Sequence, residues 1–148
     1  MSSKVKLTAD EMHYISIFES ITGAVVQDCI IDQNEDRVIF VVKPGNIGLA
    51  IGKNGINIRR AKKFLGKSID VVEYSDVPEI FIKNTLIPVP ADKIKSVSIT
   101  ERLDGRKVAL VQVDPEYRGI AIGRNGKNIA KARILAKRHF GIDEVKIR

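Results

Sequence analysis

Two stretches of the 148-residue chain match each other at a constant offset of 71 residues, and each carries Gly-X-Asn-Gly at its centre. The first runs Gly48-Leu-Ala-Ile-Gly-Lys-Asn-Gly-Ile-Asn-Ile-Arg-Arg-Ala61 and the second Gly119-Ile-Ala-Ile-Gly-Arg-Asn-Gly-Lys-Asn-Ile-Ala-Lys-Ala132. Val42/Val113 and Pro44/Pro115 extend the register upstream. A repeat about half the chain long means two copies of one small domain. Boundaries are expected at 1–75 and 76–148. The linker around Ser75 is almost absent, so a nearly fixed mutual orientation is expected. Whatever both copies keep is required by the shared fold or function rather than by local accident.

The pattern of apolar and breaker residues predicts one element order in each copy. Residues 8–20 read as a helix, with Thr8 as N-cap, Glu11 completing a capping box, and an apolar face of Met12, Ile15, Ile17, Phe18 and Ile21; Gly23 ends it. The β-branched runs 25–31 and 37–42 flank a polar turn and form a hairpin-like pair. Pro44-Gly45 breaks the second strand, 46–51 is a short helix, Gly52 to Gly55 a tight turn, 56–65 a helix stopped by Gly66, and 68–74 a last strand. The second copy repeats this with a helix over 77–87 (Asp76 as cap, Pro78 in its first turn), strands 95–102 and 106–113, a short helix 118–122, the turn Gly123 to Gly126, a helix 127–140 about one turn longer than its counterpart, and a strand 143–147. Cys29, the only cysteine, reads as a buried strand thiol and excludes an internal disulfide.

The formal net charge is +7, and its placement is more telling than its size. From residue 38 to 69 there are seven Lys/Arg and no acid, and from 117 to 142 again seven and no acid; all 18 acids lie elsewhere. Positive charge gathered around both glycine turns is the footprint of a nucleic-acid surface. No apolar run approaches the ~18 residues of a membrane span, and the N-terminus lacks an apolar signal core, which points to the cytoplasm.

Four residues reverse the chain between two helices only if the backbone enters conformations that side chains disfavour, so glycine at both ends of the turn is the natural choice. The helix that follows presents unpaired N–H groups and a partial positive charge, which favour a phosphate. Lys53 and Arg124 add a full charge there, and Asn54 and Asn125 tolerate left-handed geometry while offering donors. In the second helix, Ile58, Ala61 and Leu65, and Ile129, Ala132 and Ala136, lie at i, i+3, i+7 and should face the sheet. Arg59, Arg60, Lys62 and Lys63, and Lys127, Lys131, Lys137 and Arg138, remain for solvent. One such turn alone is a weak signal, since many are plain helix connectors. Two in one register, each inside an acid-free basic window, are a strong one.

Other phosphate sites fit less well. Neither turn continues into the Gly-Lys-Ser/Thr of a triphosphate loop, and Gly48, Gly52 and Gly55 miss the G-x-G-x-x-G spacing. His13 and His139 are the only histidines; no Cys/His cluster could hold zinc, and His139 reads as a surface or packing residue. The expectation is a protein that is not an enzyme and needs no cofactor.

Two helices joined by GxxG and packed on three strands resemble a KH domain, whose GxxG loop clamps about four nucleotides of single-stranded RNA. The extra elements before the core resemble the type II variant, which makes the expected fold α+β: two tandem type II KH domains, each helix–strand–strand–helix–helix–strand. The tandem arrangement, the Ala-Ile-Gly-Arg-Asn-Gly-Lys-Asn loop, the Gly-Lys-Asn-Gly loop and the segment Asp76-Val-Pro-Glu-Ile-Phe-Ile-Lys-Asn84 are similar to the NusA family of transcription factors. Bacterial members carry a polymerase-binding domain and an OB-fold domain before the KH pair; neither is present in this sequence, which resembles the short archaeal form. The resemblance implies binding of single-stranded RNA by the KH pair and a role in transcription termination or elongation; polymerase contacts made by the missing domain do not carry over. The RNA polymerase elongation complex is expected as a further partner, with no membrane, and the chain is expected to be a monomer. It places RNA between the GxxG loop and the last strand of each domain. The site residues it implies are Ile51, Gly52, Lys53, Asn54 and Gly55 in the first copy and Ile122, Gly123, Arg124, Asn125 and Gly126 in the second; the start of the following helix adds Asn57 and Arg59, and Lys127, Asn128 and Lys131, as candidates. With aromatics at 5% of residues, base recognition is expected from groove shape and strand backbone rather than stacking. Alternatives are a ribosome-associated or RNA-processing KH protein, and a polymerase-bound protein scaffold.

Overall fold

The hydrophobic periodicity resolves into two three-stranded sheets, each covered by three helices. The computed structural model describes residues 6–148; Met1–Val5, the start of the segment read above as lacking a signal core, lie outside the described residues. Contacts divide the described chain into two compact units, Lys6–Ser75 and Asp76–Arg148. The first contains α1 (Ala9–Thr22), β1 (Val26–Asp32), β2 (Arg37–Val42), α2 (Ile47–Ile51), α3 (Ile56–Leu65) and β3 (Ser68–Glu73). The second contains α4 (Pro78–Thr85), β4 (Ile94–Glu101), β5 (Lys107–Val113), α5 (Arg118–Ile122), α6 (Lys127–Phe140) and β6 (Glu144–Ile147).

Strand order is β1-β2-β3 in one sheet and β4-β5-β6 in the other. The hairpin pair is antiparallel and the last strand pairs parallel to the central one, which leaves β3 and β6 as edges. A parallel return needs a crossover, and the two helices around the glycine turn supply it. Each hairpin has its register shift beside the same partner, Val26 opposite Val42 and Ile94 opposite Val113, so the repeat extends to the irregularity of the first strand.

Each unit has its own core. In the first, Phe18 of α1 stacks on Phe40 of β2 with ring centroids 4.1 Å apart, among Val38, Val42, Ala50 and Ala61. In the second, Ile82, Leu86, Val111, Ala121, Ala132 and Ala136 close the space between helices and sheet. The small residues matter: Ala50, Ala61, Ala121 and Ala132 are fully buried and let the crossover helices lie close to the strands. Cys29 is fully buried on β1.

The capping box at Thr8 and Glu11 forms, with Thr8 N–H to Glu11 Oε1 at 2.9 Å and Glu11 N–H to Thr8 Oγ1 at 3.1 Å, and Gly23 ends α1 in the left-handed region. Its apolar face is narrower than the sequence suggested. Tyr14, Ile15, Phe18 and Ile21 meet the core, whereas Met12 lies off this stripe and is 54% exposed. Two further expectations are corrected at α4. Val77, not Asp76, occupies the N-cap position, with no side-chain cap, and the helix stops at Thr85 rather than at 87. Pro88 has no N–H to donate and does not continue a helix, and Thr85 Oγ1 turns back to donate to Ile82 O at 2.6 Å.

The α6–β6 connection is held electrostatically. Lys137 Nζ lies 2.6 Å from Asp143 Oδ1, and Lys107 N–H donates to Asp143 Oδ2 at 2.9 Å. The Lys137 hydrogen bond, and after it the Lys107 amide, hold the Asp143 carboxyl below its ordinary range. A depressed folded-state value gives stability that is present above the unfolded value and lost as pH falls through the folded one. The expected outcome of an NMR titration is an Asp143 pKa below the usual aspartate value that rises in Lys137→Met; an unchanged value in the variant would refute the clamp.

Candidate nucleic-acid interface

The two glycine turns have the same backbone. Gly52, Asn54 and Gly55 sit at φ/ψ of 76/172, 55/27 and 74/18; Gly123, Asn125 and Gly126 at 81/168, 56/26 and 73/14. Three of four residues per turn therefore have positive φ, the region asparagine tolerates best among residues with a side chain. Each turn is one 3₁₀ turn closed by Gly55 N–H to Gly52 O at 3.0 Å, and Gly126 N–H to Gly123 O at 3.1 Å. The next amides, Ile56 and Lys127, donate to Lys53 O and Arg124 O. The first amide of each of α3 and α6 is thus used inside the turn and does not stand open for phosphate. Charge at the tip comes from the exposed side chains of Lys53 and Arg124, next to exposed Asn54 and Asn125.

The first glycine of each turn has a second reason to be glycine. A Cβ on Gly52 would lie 2.7 Å from Asn57 Cγ, and one on Gly123 would lie 2.7 Å from the Asn128 backbone nitrogen. The asparagines use that closeness. Asn57 Nδ2 donates to Leu49 O at 2.7 Å. Asn128 Nδ2 lies within reach of three carbonyls, Ala121 at 3.1 Å, Leu86 at 3.2 Å and Ile120 at 3.4 Å. Each amide thus ties the start of the second helix to the carbonyl end of the first, where helical C=O groups lack partners. Asn57 and Asn128, both expected to touch RNA, spend their side-chain amides on these carbonyls; Asn128 is buried and Asn57 is half-buried.

Lys131 also departs from expectation. It was assigned to solvent and RNA, but it is 4% exposed and its Nζ donates to Ile87 O at 3.2 Å. The long stem fills the space between α6 and the segment after α4, and the ammonium is satisfied by carbonyl oxygen. Its counterpart Arg60 remains exposed, as do Arg59 and Lys127. Arg59 Nη1 donates to Asn54 O and braces the first turn; the second copy has Ala130 at that place. His139, offered as a surface or packing residue, is a packing one: buried, with its ring edge-on to Phe81 at 5.3 Å between centroids.

Beside the second turn the surface opens into a groove of about 440 Å³ lined by Ile122, Gly126, Ile129, Arg133, Lys146 and Ile147. It runs from the glycine turn to the edge strand β6 and is lined by three isoleucines and the Arg133 cation, while the Lys146 ammonium turns to Glu144 on the other face of the strand. Ile122 is 38% exposed there, and Ile51 holds the equivalent position in the first unit at 40%. Arg133, Lys146 and Ile147 were not singled out in the sequence; the free edge of a final strand beside a glycine turn was the signal that could have found them.

The geometry separates the two glycines of a turn. Gly123→Ala is expected to destabilise the second unit well beyond Gly126→Ala, because φ/ψ of 81/168 is glycine-only territory and its Cβ meets backbone, while position 126 has no atom within 4 Å of its Cβ and asks only for a left-handed residue, at about 1–2 kcal/mol. Thermal melts decide it, and equal losses would contradict the close-approach account.

The comparisons with known proteins agree with this architecture. The chain matches the KH domain family over residues 13–110 and the NusA-like second KH domain over residues 78–148. It is 37% identical to the probable transcription termination protein NusA of Methanocaldococcus jannaschii across 98% of this chain and 76% of that protein. It is also 37% identical to the protein of the same name from Halococcus morrhuae, across 97% of this chain and 99% of the relative. Among solved structures, the crystal structure of APE1850 superimposes with a TM-score of 0.83 at 41% identity, covering 96% of this chain and all of that one. With two three-stranded sheets, paired glycine turns and this extent of likeness, the chain belongs to the NusA family and is built of KH domains.

Proposed function

We propose that this chain is a non-enzymatic RNA-binding transcription factor that acts in termination or elongation, holding single-stranded RNA at both glycine turns. The observation that carries the reading is the pair of turns with matching dihedral angles, each presenting an exposed cation and an exposed asparagine inside an acid-free window. KH domains bind single-stranded RNA through this loop, and the named relatives are probable transcription termination proteins. In the second unit the groove between turn and edge strand offers what such a strand requires: apolar isoleucines, the Arg133 cation and the edge of a sheet.

In mechanism, Lys53 and Asn54, with Gly52 and Gly55, take the sugar-phosphate backbone at the first turn; Gly123, Arg124, Asn125 and Gly126 do so at the second. Ile51 and Ile122 lie under the bases. Arg59 and Lys127 add charge at the rim. Asn57, Asn128 and Lys131 hold the frame without touching RNA. Positioning residues of this kind matter because a clamp formed before binding spends less free energy on ordering itself. The second turn is tied down more firmly than the first, through Asn128 to three carbonyls and Lys131 to a fourth.

The proposal extends to the RNA polymerase elongation complex as the place of action, to a cytoplasmic monomer, and to RNA as the only ligand the turns require. Among the described residues no helix is long and apolar enough to cross a membrane.

The test is competition between a single-stranded oligomer and the same sequence annealed to its complement, with wild-type protein and two loop variants. Single strand is expected to win, since a clamp on splayed nucleotides does not admit a paired helix. Lys53→Asp with Asn54→Asp, and Arg124→Asp with Asn125→Asp, are each expected to abolish binding at their own turn while the glycines keep the fold, with the greater loss from the second pair. Affinity of the wild type should fall with salt at a log–log slope of roughly −0.7 per phosphate neutralised. Full-strength binding by both folded variants would falsify the site assignment.

A further inference from the structure

Arg133 stands on the wall of the groove beside the second turn, and its engagement is one-sided. Its Nε donates to Val145 O on β6 at 3.3 Å. That carbonyl is on the strand edge facing away from β5, because β6 is the last strand of its sheet and the arginine reaches it from outside. The contact fixes the plane of the guanidinium against the strand. Neither terminal nitrogen has a partner among the described residues, so Nη1 and Nη2 present a parallel pair of N–H donors, and the side chain is exposed. Isoleucines 122, 129 and 147 line the groove beside it with apolar surface against which a base can pack; Lys146 alternates with Ile147 along β6, and its ammonium pairs with Glu144 Oε1 at 3.7 Å on the other face of the strand.

A planar donor pair held at a fixed angle beside an apolar lining does more than attract phosphate. A fixed fork suits two acceptors side by side, either two phosphate oxygens or two acceptors on the flat edge of a base, and the isoleucine lining beside it suits the apolar face of a base rather than a phosphate. Among the four RNA bases two offer that edge: guanine through O6 and N7, and cytosine through O2 and N3. Adenine sets a donor beside each acceptor on its exposed edges, and uracil places N3–H between its two carbonyls. The first unit has Lys62 at the equivalent position, 71 residues earlier, an exposed point charge without a fork.

We propose that Arg133, anchored through Nε to the β6 backbone, is the base-selecting residue of the second groove and favours guanine or cytosine over adenine or uracil, while the first unit, with Lys62 in its place, lacks this preference. The inference rests on the RNA-binding reading above and adds to it the identity of the residue that selects and the chemical class of base selected.

The experiment measures the affinity of the full chain for a short single-stranded oligouridine, and for the same oligomer with one central position changed to cytosine, guanine or adenine. Wild type is expected to gain about tenfold from cytosine or guanine and little from adenine, in keeping with a good bidentate base contact. Arg133→Lys keeps the charge and the stem but not the fork, so it should lose the gain and bind the four oligomers with nearly equal affinity. Arg133→Ala should lose the gain too, and Lys62→Ala should keep it; circular dichroism melts confirm that each variant is folded. A preference retained in Arg133→Lys, or absent in wild type, overturns the inference while leaving RNA binding intact. A uniform loss across all four oligomers in the arginine variants, with no change in ranking, makes Arg133 a phosphate contact and also overturns it. Failure of wild type to bind any of the single strands would instead bring down the RNA-binding reading itself.

Discussion

Everything at the candidate site depends on how closely the chain passes itself where one helix hands over to the next. At Gly52 and Gly123 the following asparagine comes so near that a single methyl group would collide with it. The contact exists because the asparagine amide must reach the carbonyl end of the preceding short helix, Leu49 O in the first unit and Ile120 O and Ala121 O in the second. A five-residue helix has almost no internal hydrogen bonding of its own, so these side-chain bonds supply much of what keeps it helical. With its two ends locked, the turn projects its middle residues outward. The exposed cation and asparagine are consequences of an amide turned inward.

The same arrangement explains why small residues recur beneath the turns. Ala50, Ala61, Ala121 and Ala132 are fully buried where the crossover helices meet the sheet. Larger side chains would raise the helices, moving the turn relative to the edge strand that forms the far wall of the groove. Packing at the alanines and hydrogen bonding at the asparagines are two views of one constraint, which fixes the distance between a glycine turn and β6 or β3.

Much of the fold was legible because the repeat tested each reading twice. Helix ends at Gly23, Gly66 and Gly141 follow from the residue that adopts left-handed geometry most cheaply, and all three have it. α3 and α6 start and stop where the apolar i, i+3, i+7 pattern and the flanking glycines put them. What the sequence hid was tertiary. Lys131 and Arg60 are equivalent by repeat and both basic, yet one is buried and the other exposed, since only the second unit has a segment after its first helix whose carbonyl, at Ile87, meets the ammonium. Asn128 looked like a donor for RNA because an asparagine beside a glycine turn looks the same whether it points outward or inward. Arg37, opening β2, is 5% exposed and held by Asp32 at 2.9 Å and Asp70 at 3.3 Å, a buried ion network that no local pattern announces. Arg133 was read only as one more charge, because its significance comes from an edge strand 12 residues further along.

The central claim is that the two turns and the groove beside the second are the surface that meets RNA, and backbone amide chemical shifts on titration with a single-stranded oligomer test it most directly. The account predicts that the largest changes fall at residues 51–55 and 122–127, with a second group along β6 around Val145 and Ile147, while the far strands β1 and β4 stay still. Changes concentrated away from both turns, or none at saturating RNA, would contradict it.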